Sequence, residues 1–468
     1  MDLILSDDLA VALEMIRDHG GYPLIVGGAV RDAIMGHPQS KDVDVEVYGI
    51  TLDRLIGALR PFGDVSTVGA AFGVVKVHGV DADFSVPRQD NNRGAGHTDF
   101  DVTVNPAMSI TEACWRRDLT MNSMAYDPLT GDLYDPFSGL ADIRQKRLRA
   151  TNPATFLDDP LRAMRVAQFV SRFGYDVDRD LLWLCAEADL NALPGERLYT
   201  EWQKLLLGQH PDQGLRFLRA ARLLRFFPEL DAMAGCLQEP EYHNEKDVYE
   251  HIALAALEAR TLTDDLTVLW AVLLHDVGKP ATTTKDDEGR IRSKGHEDAG
   301  VELARTFLQR LRAPNDLIER VVALVAHHLA PVHFVPDAAH SHKRGYAGPA
   351  AYRRLARTLG AADTDMKTLY LVSKADHLGR ISPDALASQF PSGEEFLRRA
   401  EQIHVVNTPE PDIVMGRHLL ARGYQPGPEI GVILTRCRED QYETGENNPD
   451  RILERVLAEF SREDTPHV

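Results

Sequence analysis

A chain of 468 residues is long for one core, so several domains are expected; at 44% hydrophobic and 26% charged, with no biased tract, its composition is ordinary for a soluble globular protein. The formal net charge of −19 argues against broad nonspecific binding to nucleic acid, though it leaves room for one local basic groove. Four scattered cysteines (Cys114, Cys185, Cys236, Cys437) exclude a CxxC framework, no apolar run approaches a membrane span, and the acidic start MDLILSDD does not read as a signal peptide, so the expected compartment is the cytoplasm.

Leu9, Ala10, Leu13 and Ile16 recur at helical spacing and lead to Tyr22-Pro23. The stretch from Ile25 to Tyr48 follows: an apolar run, a turn at Gly27-Gly28, a helix through Val30-Arg31-Asp32, and a loop with Gly36 and Pro38. Asp42-Val43-Asp44-Val45-Glu46-Val47 then alternates polar and apolar, the pattern of a half-buried strand. Asp42 and Asp44 share a face of it, and two adjacent carboxylates suit a hard cation such as Mg²⁺. The paired glycines let a triphosphate approach the backbone. An Asp-x-Asp alone is weak evidence. Joined to Gly-Gly-x-Val-Arg-Asp it resembles the nucleotidyltransferase superfamily, and in particular the class II tRNA nucleotidyltransferases (CCA-adding enzymes) and their bacterial poly(A) polymerase relatives. That resemblance implies catalytic, Mg²⁺-holding roles for Asp42 and Asp44, and nucleotide contacts at Gly27, Gly28 and Arg31.

Further along the expected head, residues 1–150, FGVVKVHGVDADFSVPR reads as two strands about a turn, with Asp83 either a third carboxylate or a surface acid. Gln89 to Trp115 is polar with little periodicity and reads as a long functional loop, with Arg88, Arg93 and His97 as candidate phosphate contacts. In Arg116-Arg117-Asp118-Leu119-Thr120-Met121-Asn122 two arginines can clamp a triphosphate while the acid orients them. The same letters match the family's Arg-Arg-Asp-x-Thr-x-Asn motif, which implies nucleotide contacts for Arg116, Arg117, Asp118 and Asn122. Asp135 to Asp142 matches the family's third motif and reads as a structural turn.

In the neck, residues 151–238, the segment 158–173 reads as an amphipathic helix capped by Asp158, with Asp159 and Arg162 three apart on one face. By resemblance to the family's Glu-Asp-x-x-Arg motif, Asp159 and Arg162 would hydrogen-bond the edge of C or A as an amino-acid template, with Arg165 holding the pair; this chain has Asp158 where Glu is usual. Arg197 and Glu201, spaced i, i+4, read as helix-stabilising. Arg216, Arg219, Arg222 and Arg225 recur at threes along what reads as one helix, either a tRNA backbone contact or a solvated face.

Histidines accumulate in the third region, residues 239–385: His251, His275-Asp276, His296, His327-His328, then Asp376. The ordered series resembles the HD phosphohydrolase superfamily. It implies a divalent transition metal (Mn²⁺, Ni²⁺, Fe²⁺ or Zn²⁺) on His251, His275, Asp276 and Asp376, a second on His296 and either His327 or His328, and a phosphate contact at Lys279. Residues 386–468 read as a helical tail with a Pro-Gly-Pro turn.

The fold class expected is α+β: a small mixed-sheet head followed by an all-α neck, HD domain and tail. The favoured activity is addition or repair of the 3′-CCA of tRNA from CTP and ATP, with an HD phosphatase or 2′,3′-cyclic phosphodiesterase; no membrane partner is expected. CC-only, A-only and poly(A) synthesis share the motifs. By family analogy, the absence of paired basic residues in VGAAFGVVKV weighs against poly(A) synthesis. A hydrolase with an RNA-binding head is the alternative of another class.

Overall fold

The alternating run expected as a half-buried strand is a strand of a mixed sheet. The computed structural model describes residues 3, 5–38, 43–66, 74–92, 100–240, 245, 247–335 and 346–463. The chain divides into two units, Met1–Phe226 and Phe227–Val468. In the first, α1 (Asp7–Asp18) is capped by the Ser6 side chain, which accepts from Leu9 N. Then come β1 (Tyr22–Val26), α2 (Gly28–Met35), β2 (Val43–Tyr48), α3 (Leu52–Leu59), β3 (Val65–Ser66), β4 (Val74–Val77) and β5 (Ala82–Ser85). They are followed by β6 (Arg88–Asn92), β7 (Phe100–Val104), α4 (Ile110–Trp115), β8 (Ala125–Tyr126), β9 (Leu133–Tyr134) and α5 (Gly139–Arg144).

One mixed sheet has the order β3-β4-β5-β2-β1-β8-β9. β2 is central, antiparallel to β1 (Leu24 opposite Glu46) and parallel to β5 (Asp44 opposite Asp83). Val43, Val45 and Val47 are buried on one face of β2 while Asp44 is exposed on the other. The stretch expected as a loop from Gln89 to Trp115 contains a ribbon instead: β6 and β7 pair antiparallel from Arg88 opposite Val104 to Asn92 opposite Phe100, and α4 follows. β7 alternates as Phe100-Asp101-Val102-Thr103-Val104, but its partner β6 is polar throughout, so only one strand of the pair carries a period-2 signal.

The rest of this unit is helical apart from a short parallel pair of Arg147–Leu148 with Asp176–Val177: α6 (Leu161–Phe173), α7 (Arg179–Glu187), α8 (Gly195–Leu206) and α9 (Pro211–Ala220). Two expectations shift here. The helix expected from 158 begins at Leu161, because Asp159 is in an extended conformation (φ −123°, ψ 99°) and uses its side chain to accept from Leu161 N. The arginine stripe does not lie on one helix, since α9 stops at Ala220 and Arg222 takes a left-handed turn (φ 56°) before a short 3₁₀ segment.

The second unit is built of helices around a fully apolar one. It comprises α10 (Pro228–Met233), α11 (Val248–Leu262), α12 (Leu266–Leu274), α13 (Lys279–Thr282), α14 (His296–Arg310), α15 (Asn315–His327), α16 (Ala330–His333), α17 (Pro349–Ala361) and α18 (Met366–Leu378). Every residue of α12 from Thr267 to Leu274 is buried, as a helix that is hydrophobic all round must be, and its end delivers His275-Asp276 into the interior. The tail helices α19 (Pro383–Leu386), α20 (Pro391–Gln402), α21 (Gly416–Leu420), α22 (Pro428–Thr444) and α23 (Pro449–Glu463) follow. Leu419, Ile433, Cys437, Ile452, Leu453 and Val456 pack there into a separate small core. No helix among the described residues is long and apolar enough to cross a membrane.

Candidate active sites

The first site begins at a backbone that only glycine adopts readily. Gly27 has φ 71° and ψ −129°, which ends β1 and starts α2 in a single residue. A methyl group at this position would lie 2.8 Å from Arg117 Nη1 and 3.9 Å from Asp44 Oδ2, so the glycine turn, the strand carboxylate and the arginine meet at one point. Asp42, the companion of Asp44, lies outside the described residues, as do Arg93 and His97. Asp83 stands beside Asp44 across the parallel pair, but its carboxylate is in an ion pair with Lys76 Nζ at 2.8 Å. An exposed carboxylate beside a second one, with oxygen donors only, fits a hard divalent cation.

Asp118 does not orient Arg116 and Arg117. Its Oδ1 accepts from Leu119 N (2.7 Å) and Asn122 Nδ2 (2.9 Å), and its Oδ2 from Arg165 Nε (2.7 Å). Burial raises the Asp118 pKa, but the Arg165 charge and these hydrogen bonds outweigh it and hold the carboxyl below its ordinary value. The acid facing the two arginines is Glu46, which accepts from Arg116 Nη2 at 2.8 Å and has Arg117 Nη2 at 3.7 Å. Sequence reasoning missed it, because no local spacing links residues so far apart in the chain.

Arg31, Asp118 and Asn122, expected at the nucleotide, are placed beneath the site at 4%, 7% and 6% exposure. Arg31 donates to Asp32 and to Asn122 Oδ1 and lies over the rings of Phe169 and Phe173, tying α2 to α6. Arg165 joins that frame through its ion pair with Asp118 and also feels the charge of Asp159. Asp159 and Arg162 meet through the backbone, Arg162 N donating to the Asp159 carbonyl at 3.0 Å, while their side chains have other partners. Asp159 is paired with Arg197 Nη2 at 3.0 Å, and Arg162 donates to the carbonyls of Thr155 (2.8 Å) and Arg116 (2.5 Å). Arg197, expected only to stabilise its helix, therefore holds the acid of the template motif.

The arginine stripe divides by function of its contacts. Arg216 pairs with Asp212 one helical turn away, and Arg225 donates to the carbonyls of Ala186, Ala188 and Arg222. Arg219 and Arg222 are exposed.

The second site is buried and built of nitrogen and oxygen. Asp247 caps α11 by accepting from Glu250 N, which brings His251 inward beside Asp376 of α18, with His251 Nε2 3.0 Å from Asp376 Oδ1. His275 Nε2 lies 3.3 Å from Asp276 Oδ2 and 3.6 Å from Asp376 Oδ1. His296 Nε2 is 3.3 Å from both Asp276 Oδ1 and His328 Nε2. The Nδ1 atoms of His275, His296 and His328 face the carbonyls of Val272, Ser293 and Val325 at 2.8, 2.8 and 2.7 Å. Carbonyls only accept, so each Nδ1 carries a proton and each ring turns its Nε2 to the centre, the atom that would serve a metal.

Gly278 makes this possible: a methyl there would fall 2.1 Å from the His296 carbonyl. Glu245, which was not expected, lies 3.0 Å from His251 Nδ1 and completes a carboxylate–histidine pair. Ligand atoms of His251, His275 and Asp376, and of His275, Asp276 and His328, lie within 4.8 Å of one another, an imidazole–carboxylate set that fits a divalent transition metal. Of the paired histidines, His328 is 1% exposed and joins the cluster; His327 does not, because neighbours on a helix point about 100° apart. A cavity of about 230 Å³ opens beside the cluster, lined by Asp276, Lys279, His296, His328, Asp376 and Arg380. Lys279 Nζ sits 2.6 Å from Asp276, and Arg380 Nη2 2.9 Å from Asp376. Burial raises both carboxyls, yet their cationic neighbours hold them far below the ordinary range.

Three family models match. Residues 23–149 match the poly A polymerase head domain, 184–233 the probable RNA and SrmB-binding site of polymerase A, and 248–363 the HD domain. The chain is 32% identical over 401 residues to the multifunctional CCA protein of Alkalilimnicola ehrlichii, covering 84% of this chain and 92% of that one. It is 31% identical over 424 residues to that of Xanthomonas campestris pv. campestris, covering 88% and 96%. In fold it is similar to the Bacillus stearothermophilus CCA-adding enzyme in complex with CTP (TM-score 0.67, 22% identity, 99% of this chain and 100% of that one). It is also similar to the Thermotoga maritima CCA-adding enzyme complexed with tRNA (TM-score 0.55, 19% identity, 98% and 97%). With head, neck and HD segments in that order and identity sustained over most of both chains, this protein belongs to the multifunctional CCA protein family.

Proposed function

We propose that this enzyme builds or repairs the 3′-terminal CCA of tRNA from CTP and ATP, releasing pyrophosphate, in the cytoplasm. The observation that carries the reading is the meeting of Gly27, Asp44 and Arg117 at one point: a backbone that a phosphate can approach, a carboxylate for a cation, and a guanidinium for the triphosphate. Asp42 and Asp44 would hold Mg²⁺, which when bound supplies activation of the 3′-hydroxyl and neutralisation of the departing charge. Arg116 and Arg117 bind the phosphates, and Gly27 and Gly28 admit them. Asp159, held by Arg197, accepts from the exocyclic amine of C or A, and Arg162 donates to ring acceptors. Arg31, Asp118, Asn122 and Arg165 keep these groups in place. Arg219 and Arg222 are the phosphate-backbone contacts of the former stripe.

In the second unit, His251, His275, Asp276, Asp376, His296 and His328 would hold one or two ions such as Mn²⁺, Ni²⁺, Fe²⁺ or Zn²⁺, which when bound supply Lewis acidity toward a phosphoester. Lys279 and Arg380 offer positive charge to that ester at the cavity wall.

The test is incubation of tRNA ending at the discriminator base with Mg²⁺ and CTP, ATP or both, with products resolved to single-nucleotide length. A +3 product that needs both nucleotides is expected. A stop at +2 or an ATP-only ladder would replace this activity with CC addition or poly(A) synthesis, and no extension would leave the hydrolase as the main activity.

A further inference from the structure

The face of β2 that carries Asp44 becomes covered along its length. Asp44 is exposed, whereas Glu46 and Tyr48 are 1% and 6% exposed, because α4 closes over the sheet there and Ala113 packs with Tyr48 and Leu24. A carboxylate in such a place needs charge and hydrogen bonds to replace water. Glu46 has both. Arg116 Nη2 donates to Oε1 at 2.8 Å, the Tyr48 hydroxyl donates to Oε2 at 2.8 Å, and Arg117 Nη2 lies 3.7 Å from Oε2. Arg117 keeps its other terminal nitrogen, Nη1, on the side of Gly27 and Asp44, where it also donates to the Asn122 carbonyl at 3.3 Å.

From this geometry we propose that Glu46 is the positioning residue of the triphosphate clamp. It grips the arginine pair from the sheet side and so aims Arg117 at the glycine turn, an inference that rests on the nucleotidyltransferase reading above. With glutamine in place of Glu46, two neighbouring guanidiniums repel without a buried counter-charge, and the polyphosphate must reassemble them on binding. Glu46 touches the phosphate-binding arginines and neither Asp159 nor Arg162, so CTP and ATP are affected alike.

The experiment compares Glu46→Gln with the wild type for KM and kcat of CTP and of ATP addition to tRNA, with inorganic tripolyphosphate as a base-free inhibitor and thermal melting alongside. Both KM values and the inhibition constant of tripolyphosphate are expected to rise about tenfold. The ratio of CTP to ATP use and kcat stay near wild type, and Glu46→Asp, which keeps the charge, recovers part of the loss. Unchanged KM and inhibition constants, or a shift in the CTP-to-ATP ratio with tripolyphosphate unaffected, would overturn the proposal. Should Glu46→Gln fail to fold, Tyr48→Phe loosens Glu46 and keeps its charge; it is expected to raise both KM values about threefold, and unchanged values overturn the proposal. Wild-type protein that extends no tRNA sinks the nucleotidyltransferase reading itself, whereas extension with an indifferent Glu46→Gln sinks only the role of Glu46.

Discussion

Asp44 stands exposed on a strand at the mouth of the head, whereas His251, His275, Asp276, His296, His328 and Asp376 are all at 6% exposure or less. The head must admit a polymer end and a triphosphate, so its acid is left open and its cations, Arg116 and Arg117, are held from behind by a buried glutamate. The helical centre instead matches charge internally: Lys279 on Asp276, Arg380 on Asp376, Glu245 on His251. The rings of His275, His296 and His328 are each fixed by a backbone carbonyl three residues earlier in the chain. Open charge is organised for a substrate and closed charge is part of the core, so damage to the first should cost rate and damage to the second should cost stability as well.

The sharpest way to break that contrast is to remove one acid from each centre. Asp44→Ala is expected to reduce nucleotide addition by at least about 10³-fold, the several kcal/mol of a lost metal clamp, with thermal melting unchanged and HD-site phosphoester hydrolysis intact. A clear loss of stability would show that Asp44 is not the solvent-facing group described. His275→Ala is expected to lower metal affinity by at least about 100-fold, read by metal content after dialysis, and to lower the melting temperature while tRNA extension persists. Preserved metal content would remove His275 from the ligand set.

A third test concerns the frame under the open site. Asp118 has a folded pKa below its unfolded value of about 3.9, so its stabilisation is complete above that value and is lost as pH falls through the lower folded one. The unfolded chain binds more protons across that window, so stability rises with pH there. Asp118→Asn should flatten this part of the acid-unfolding profile and cost about 2 kcal/mol at neutral pH; the figure is at the low end for a buried pair because Arg165 is 34% exposed. An unaltered acid profile would show that Arg165 contributes nothing to the frame.

Legibility in the sequence followed the reach of each signal. The period-2 run from Val43 to Val47 reports burial directly, and its strand formed where the residues place it. The order of histidines and acids likewise carried through to one cluster. What failed depended on partners across elements. Glu46 serves arginines that stand beside Asp118 in the chain, Arg197 reaches Asp159 from another helix, and Glu245 precedes its histidine across a loop. His327 and His328 are indistinguishable by spacing until the helix phase is known, and of the β6–β7 ribbon only Phe100–Val104 alternates, its partner strand being all polar.

The smallest effects separate the arginines that spacing alone made equivalent. Arg225 donates to Ala186 and Ala188, whose carbonyls lie at the end of α7, so it caps orphan acceptors much as a basic residue at a helix C-terminus does. Arg225→Ala should cost about 1 kcal/mol of stability and leave tRNA affinity and its salt dependence alone. Arg222 is exposed on its left-handed turn, and Arg222→Ala should leave melting unchanged while lowering the slope of log affinity against log salt by roughly 0.7–0.9 if it meets one phosphate. Binding measured from low to moderate salt decides between them. A salt slope that falls for Arg225→Ala and not for Arg222→Ala would reverse the assignment, and would mean that the carbonyl contacts of Arg225 give way to phosphate when tRNA binds.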